Sequence, residues 1–223
     1  MPIFHIENNQ FPDPQVANEH GLVAVGGDLS PQRLITAYRI GLFPWYNPGE
    51  QILWWCLDPR LILLPPELKV SKSMRSAFNQ NKFKVTYDNA FEQVMRACQT
   101  KTREGQDGTW ISEEIISAYT RLHQLGYAHS VEVWQENQLV GGLYGVAIGK
   151  CFFGESMFAK ISNASKFGFI TLVQKLKEQG VWLIDCQQET THLMSLGAKP
   201  IPRDVFLTIL KRNQENNDFC LIF

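Results

Sequence analysis

At 223 residues, with 44% hydrophobic and 19% charged residues and a formal net charge of −1, the chain has the makeup of a globular protein with a real core. That balance excludes a strongly basic chain that coats nucleic acid, although a local patch can still hold one end of an RNA. No apolar run reaches the roughly 20 residues that span a bilayer, and the five scattered cysteines show neither metal spacing nor a disulfide pattern.

The chain opens MPIFHIENNQ, without a basic segment leading into an apolar block, so no signal peptide is expected. Free thiols in a reducing cytoplasm follow as the natural setting. Nine of the eleven prolines and three of the six tryptophans fall in residues 1–66. This predicts a small, irregular N-terminal domain over 1–65 and a regular α/β body over 66–223, divided near Pro65-Pro66. One helix is clear in the first part. Ser30 stands at its N-cap, Pro31 at the first helical position and Gly41 just past its end. Leu34, Ile35 and Tyr38 share a face of it. Next comes a positive run, Lys69, Lys72, Arg75, Lys82 and Lys84, which on its own reads as a solvated helix face.

Asp88 or Asn89 is expected to cap a helix carrying Phe91, Val94, Met95 and Cys98 on one stripe. A second helix starts near Ser112 with Ile115, Ile116, Tyr119 and Leu122 at helical spacing, and ends at Gly126. Three strand-like runs follow at His129–Gln135, Leu139–Ile148 and Lys150–Phe158, the first two joined by a turn at Glu136-Asn137-Gln138. Gly141-Gly142 within them suits close packing or a bulge. A long helix from about Asn163 to Gln179 closes at Gly180, a strand covers Val181–Gln187, and two short helices lie near Thr190–Leu196 and Arg203–Arg212. This order matches the acetyltransferase-like (GNAT) fold, an α/β (α+β) arrangement in which the strands before and after the long helix run parallel. Fold alone does not name a reaction.

Alternation along the strands places Asp185 and Gln187 on one face of theirs, and Glu155 with Phe153 and Met157 on one face of another. If the two strands are neighbours, Glu155, Asp185 and Gln187 converge where they splay. Spacing alone equally allows a strand end reaching solvent. His192 follows this strand closely; the five histidines otherwise read as surface or packing residues. No nucleophile elbow, zinc helix or phosphate loop occurs. An acetyl-CoA enzyme needs a glycine-rich turn before its long helix to hold pyrophosphate. Here Ala159-Lys160-Ile161-Ser162-Asn163-Ala164-Ser165 stands there instead, which points to another acyl donor.

The residues then resemble a known family. Gly21-Leu22-Val23-Ala24-Val25-Gly26-Gly27-Asp28-Leu29-Ser30, Gly41-Leu42-Phe43-Pro44-Trp45, Ile52-Leu53-Trp54-Trp55 and Asp58-Pro59-Arg60 carry the likeness in the first part. Gly108-Thr109-Trp110-Ile111, Ser130-Val131-Glu132-Val133-Trp134, Gly154-Glu155-Ser156-Met157-Phe158, Leu183-Ile184-Asp185-Cys186-Gln187 and Ser195-Leu196-Gly197-Ala198 carry it in the second. Motifs in this order, from about residue 11 to 206, resemble the bacterial leucyl/phenylalanyl-tRNA–protein transferases. Cys56-Leu57 departs from the family's Ser-Pro.

The resemblance implies a GNAT-like domain behind a small N-terminal one. It also implies transfer of Leu or Phe, less readily Met, from aminoacyl-tRNA to proteins beginning with Arg or Lys, which marks them for degradation. An aminoacyl ester is already activated, so no cofactor or metal is expected, and a cytoplasmic monomer is the expected form. Asp185, Gln187 and Glu155 become the polar active-site residues. Tyr38, Trp45, Trp110 and Tyr119 surround the terminal adenosine and the pocket mouth, and Leu143, Phe152, Met157, Phe169, Leu172 and Leu176 line the side-chain pocket. With a tRNA donor, Lys69, Lys72, Arg75, Lys82 and Lys84 are candidates for phosphate contacts. Two other readings remain at this point. An ordinary N-acetyltransferase would be told apart by binding of CoA, and a non-catalytic tRNA-binding module by failure to transfer.

Overall fold

The computed structural model describes residues 4–6, 10–100, 109–216, 219 and 221–223. Residues 1–3 and 7–9 of the opening segment, Gly108 and Cys220 therefore lie outside the described residues. A four-stranded sheet is built from β1 (Phe4–Ile6), β2 (Leu22–Gly26), β3 (Phe43–Pro44) and β4 (Leu53–Trp55), in the order β1-β2-β4-β3. Helix α1 (Pro31–Arg39) follows β2, and its Leu34 and Tyr38 are fully buried. Ser30 occupies the N-cap, but its side chain makes no capping bond. Its own N–H is instead held by Asp28 Oδ1 at 2.8 Å.

The larger sheet takes seven strands. They are β5 (Arg60–Leu63), β6 (Lys84–Tyr87), β7 (Ala128–Gln135), β8 (Gln138–Ile148), β9 (Cys151–Ala159), β10 (Leu183–Gln187) and β11 (Lys199–Ile201). Their order is β11-β5-β10-β9-β8-β7-β6. Strands β7, β8 and β9 form the expected antiparallel meander, with Glu136 and Asn137 both at positive φ in the first turn. Strand β10 then pairs parallel to β9 across helix α5 (Ala164–Glu178). This is the GNAT-like arrangement.

Helices α3 (Phe91–Gln99) and α4 (Glu113–Gln124) join the N-terminal part in one core, around Tyr119, Tyr144 and Phe153. Helix α5 fills a second core with Val131, Val133, Leu143 and Ile184, next to α2 (Lys72–Asn79). Gly141 sets the distance between α5 and β8. A Cβ there would lie 2.7 Å from that of Ala164, so only glycine lets the helix start this close to the strand. Two short helices complete the chain, α6 (Thr191–Ser195) and α7 (Arg203–Asn213). No helix among the described residues is long and apolar enough to cross a membrane.

Two expectations need correction. Strand β5 precedes the division expected at Pro65-Pro66, yet it pairs with β10 and β11 inside the large sheet. Leu61, Ile62 and Leu63 are all buried there, and a run apolar on both faces needs a sheet interior. The large sheet therefore already includes Arg60–Leu63, ahead of Pro65-Pro66. Helix α3 is capped neither by Asp88 nor by Asn89; Ala90 holds the N-cap. Asp88 instead turns to β7, accepting from Ser130 N–H at 2.8 Å and meeting His129 Nδ1 at 2.8 Å.

Candidate active site

Strands β9 and β10 stay in register only from Leu183↔Cys151 to Asp185↔Phe153. Beyond that point they part, and a cavity of about 490 Å³ opens between them. Both strands bulge here. Against β8, Tyr144 pairs with Ser156 and Gly145 with Gly154, leaving Glu155 as the extra residue. Against β5, the register slips between Asp185 and Gln187, and Gln187 takes a left-handed φ of 60°. A bulge re-aims the side chains around it and ends regular pairing.

The three polar residues do converge, though not as simple alternation predicts. Asp185 is fully buried and bonded to Arg60, whose Nε–H and Nη2–H donate to its two carboxylate oxygens at 2.8 and 2.6 Å. Its Oδ1 also accepts the backbone N–H of Gln187 at 2.9 Å. The Gln187 side chain turns to Glu155 instead, with Nε2 donating to Oε1 at 2.9 Å. The other oxygen of Glu155 accepts from Tyr119 at 3.2 Å, and the Tyr119 hydroxyl is bonded to that of Tyr38. Burial pushes the Glu155 carboxyl up to about 7, and the Asp185 charge adds to this, while bonds from Tyr38 and Tyr119 hold it down. Both tyrosine hydroxyls are driven well above 10, first by burial and then by the Glu155 charge.

Of the expected pocket residues, Trp45, Trp110, Leu143, Met157 and Phe169 lie on the cavity wall. Phe152, Leu172 and Leu176 do not; they are packed in the core around α5, at most 1% exposed. Tyr38 and Tyr119 are wholly buried, so they form a layer beneath Glu155 rather than a mouth. Sequence reasoning missed Phe43, Ser165 and Thr190 on the wall and placed His192 only near it. It also gave Arg60 no role. The signal was there: an arginine opening the apolar run Leu61-Ile62-Leu63-Leu64 must be paired if that run is a buried strand. Cys186 lies on the wall too, but burial drives its thiol well above the ordinary cysteine range, so it is no nucleophile at neutral pH.

Within the segment 159–165, Asn163 holds the N-cap of α5 at φ 69° and is followed by the fully buried Ala164 against Gly141. The five cationic residues are all exposed. Lys72 and Arg75 lie on α2 and Lys84 opens β6. The Lys69 N–H donates to Leu196 just after α6, and Thr190 at the N-cap of α6, with His192 and Leu193 within it, lines the cavity. One end of the run thus adjoins the cavity rim.

The sequence model of a family described as leucyl/phenylalanyl-tRNA protein transferase matches residues 62–211, and that of the family's N-terminal domain matches residues 27–58. A leucyl/phenylalanyl-tRNA–protein transferase of Nitrosomonas europaea is 58% identical over 187 residues, covering 84% of this chain and 79% of that one. One from Christiangramia forsetii is 58% identical over 203 residues, covering 90% and 96%. One from Desulfatibacillum aliphaticivorans is 53% identical over 216 residues, covering 96% and 93%.

Proposed function

The chain belongs to the leucyl/phenylalanyl-tRNA–protein transferase family, and we propose that the cavity between β9 and β10 is where it joins an aminoacyl group to an acceptor protein. It moves Leu or Phe, and Met less readily, from the 3′ end of aminoacyl-tRNA to an N-terminal Arg or Lys, marking that protein for degradation. The reaction belongs to the cytoplasm, where charged tRNA is made.

The observation that carries this reading is the hydrogen-bonded pair of Gln187 and Glu155 on the wall of a cavity that also presents apolar and aromatic side chains. Leu143, Met157 and Phe169 offer a dry wall for the donor side chain. Trp45 and Trp110 offer aromatic faces for a base to stack on. With Nε2 committed to Glu155, the Gln187 carbonyl oxygen is left to accept from the attacking amine. An α-amine has a pKa of roughly 8, and Glu155, pushed up to about 7, is matched to take its proton. The neutral amine nitrogen attacks the ester carbonyl, and Glu155 takes the N–H proton released as the C–N bond forms. The tetrahedral oxyanion then collapses with cleavage of the bond to the ribose oxygen, which receives that proton from Glu155. Asp185 is no proton acceptor, because Arg60 occupies both of its oxygens.

The test is movement of labelled Phe from Phe-tRNA to an Arg-starting peptide. Absence of transfer, together with saturable binding of CoA, would replace this reading by an N-acetyltransferase.

A further inference from the structure

Arg60 opens β5 and is fully buried, as is its partner Asp185. Its guanidinium carbon lies 4.8 Å from the Phe43 ring centroid and 4.7 Å from that of Phe206. Phe43 comes from the small sheet and lines the cavity, whereas Phe206 comes from α7. One side chain thus ties both sheets and the last α-helix to a single carboxylate. A planar fork between two rings fixes that carboxylate in rotation as well as position, which a lysine cannot do.

The carboxylate then acts on Gln187. Its Oδ1 receives the Gln187 N–H where β10 bulges and the chain turns left-handed, a conformation few L residues adopt unaided. From that turn the Gln187 amide reaches Glu155.

We propose that Arg60 is a positioning residue for aminoacyl transfer, fixing Asp185 so that Asp185 holds the Gln187 turn and aims its amide at Glu155 and the reacting amine. The inference rests on the assignment of Gln187 and Glu155 to that reaction. It has a second consequence, through charge. The titratable or charged groups acting on Glu155 are Tyr38 from α1, Tyr119 from α4, Asp185 from β10 and Arg60 from β5. Asp185 raises the carboxyl and Arg60 lowers it, so removing the arginine's charge moves the proton-linked limb of the rate upward in pH.

Transfer of Phe from Phe-tRNA to an Arg-starting peptide is measured for the wild type, Arg60→Lys, Arg60→Gln, Asp185→Asn and the double variant Arg60→Gln with Asp185→Asn. Circular dichroism checks that each is folded. Arg60→Lys keeps the charge and loses the fork. Its kcat is expected to fall about 10- to 100-fold with donor KM little changed, the scale set by misplacing groups near reacting atoms. Arg60→Gln is expected to raise the lower limb of the kcat profile by roughly half a pH unit or more, which a loss of folded protein would not do. Because Arg60 acts through Asp185, the double variant should be no slower than Asp185→Asn alone. The double variant also removes both buried charges, so it serves if Arg60→Gln alone does not fold. Wild-type kcat and an unmoved limb in folded single variants would overturn the inference, as would losses that multiply in the double variant. A wild type that transfers nothing would instead overturn the functional reading itself.

Discussion

Glu155 sits in the folded chain with a carboxyl pushed up to about 7, against an ordinary 4.5. Between those values the folded state holds a proton that the unfolded chain has released, so stability falls as pH rises through this window. Glu155→Gln removes the effect. The variant should melt close to wild type at pH 4.5 and higher than wild type at pH 8, by about 1–3 kcal/mol. Its kcat should drop while the lower limb of the pH profile disappears. Thermal melts at the two pH values check the first part, and identical melting shifts at both would refute it. Substitution at Asp185 acts on stability through a different route, the loss of an ion pair. Asp185→Ala strands Arg60 as a buried, unpaired cation, and breaking such a pair costs about 3–5 kcal/mol. A fall in Tm of roughly 6–20 °C is expected; an unchanged Tm would mean that Arg60 finds water. Loss of activity in this variant therefore mixes folding with chemistry, and Asp185→Asn is the kinetic variant to read.

Elements were legible in proportion to their length and period. The stripes of α3 and α4, the meander and α5 with its closing glycine all carry ten or so residues of consistent pattern, and each formed where expected. Strands β1 to β5 have two to five residues each and stand among prolines, so no period can show. Convergence of Glu155, Asp185 and Gln187 was readable from alternation, but the two bulges were not, since an inserted residue looks like any other. That is why Asp185 met the Gln187 backbone and not its side chain. Arg60 and Asp185 are 125 positions apart, a pairing that no local signal encodes. Gly141 gives the element-scale prediction. Gly141→Ala drives a methyl into Ala164 and Ser165 at the start of α5, and overpacking of this kind costs about 1–3 kcal/mol. Its Tm should fall by a few degrees, and transfer should fall with it because Ser165, on the cavity wall, moves too. A wild-type Tm would show that α5 can lift from β8 without cost.

At the scale of the whole molecule, the question is how a chain of net charge −1 holds a polyanion. We propose that the positive run does so, by its location. It begins at Lys69, tied to the segment after α6 beside the cavity, and reaches Lys84 on β6, the far edge of the large sheet. Strand β6 stands four strands from β10, about 19 Å away at the usual spacing. A tRNA whose 3′ end enters between β9 and β10 could lay its acceptor stem along this path and meet exposed cations throughout. Arg75 is partly engaged, its guanidinium donating to the Val70 carbonyl, so Lys72, Lys82 and Lys84 are the residues to neutralise. The triple alanine variant is expected to bind tRNA more weakly. Its plot of log K against log salt should be shallower by about 0.7–0.9 for each phosphate that the protein no longer neutralises. The same variant should handle a minimal donor, an aminoacyl-adenosine without phosphates, at the wild-type rate, because the cavity is untouched. Slower reaction with the minimal donor would mean that α2 supports the cavity wall, and an unchanged salt slope would reduce the run to a solvated face.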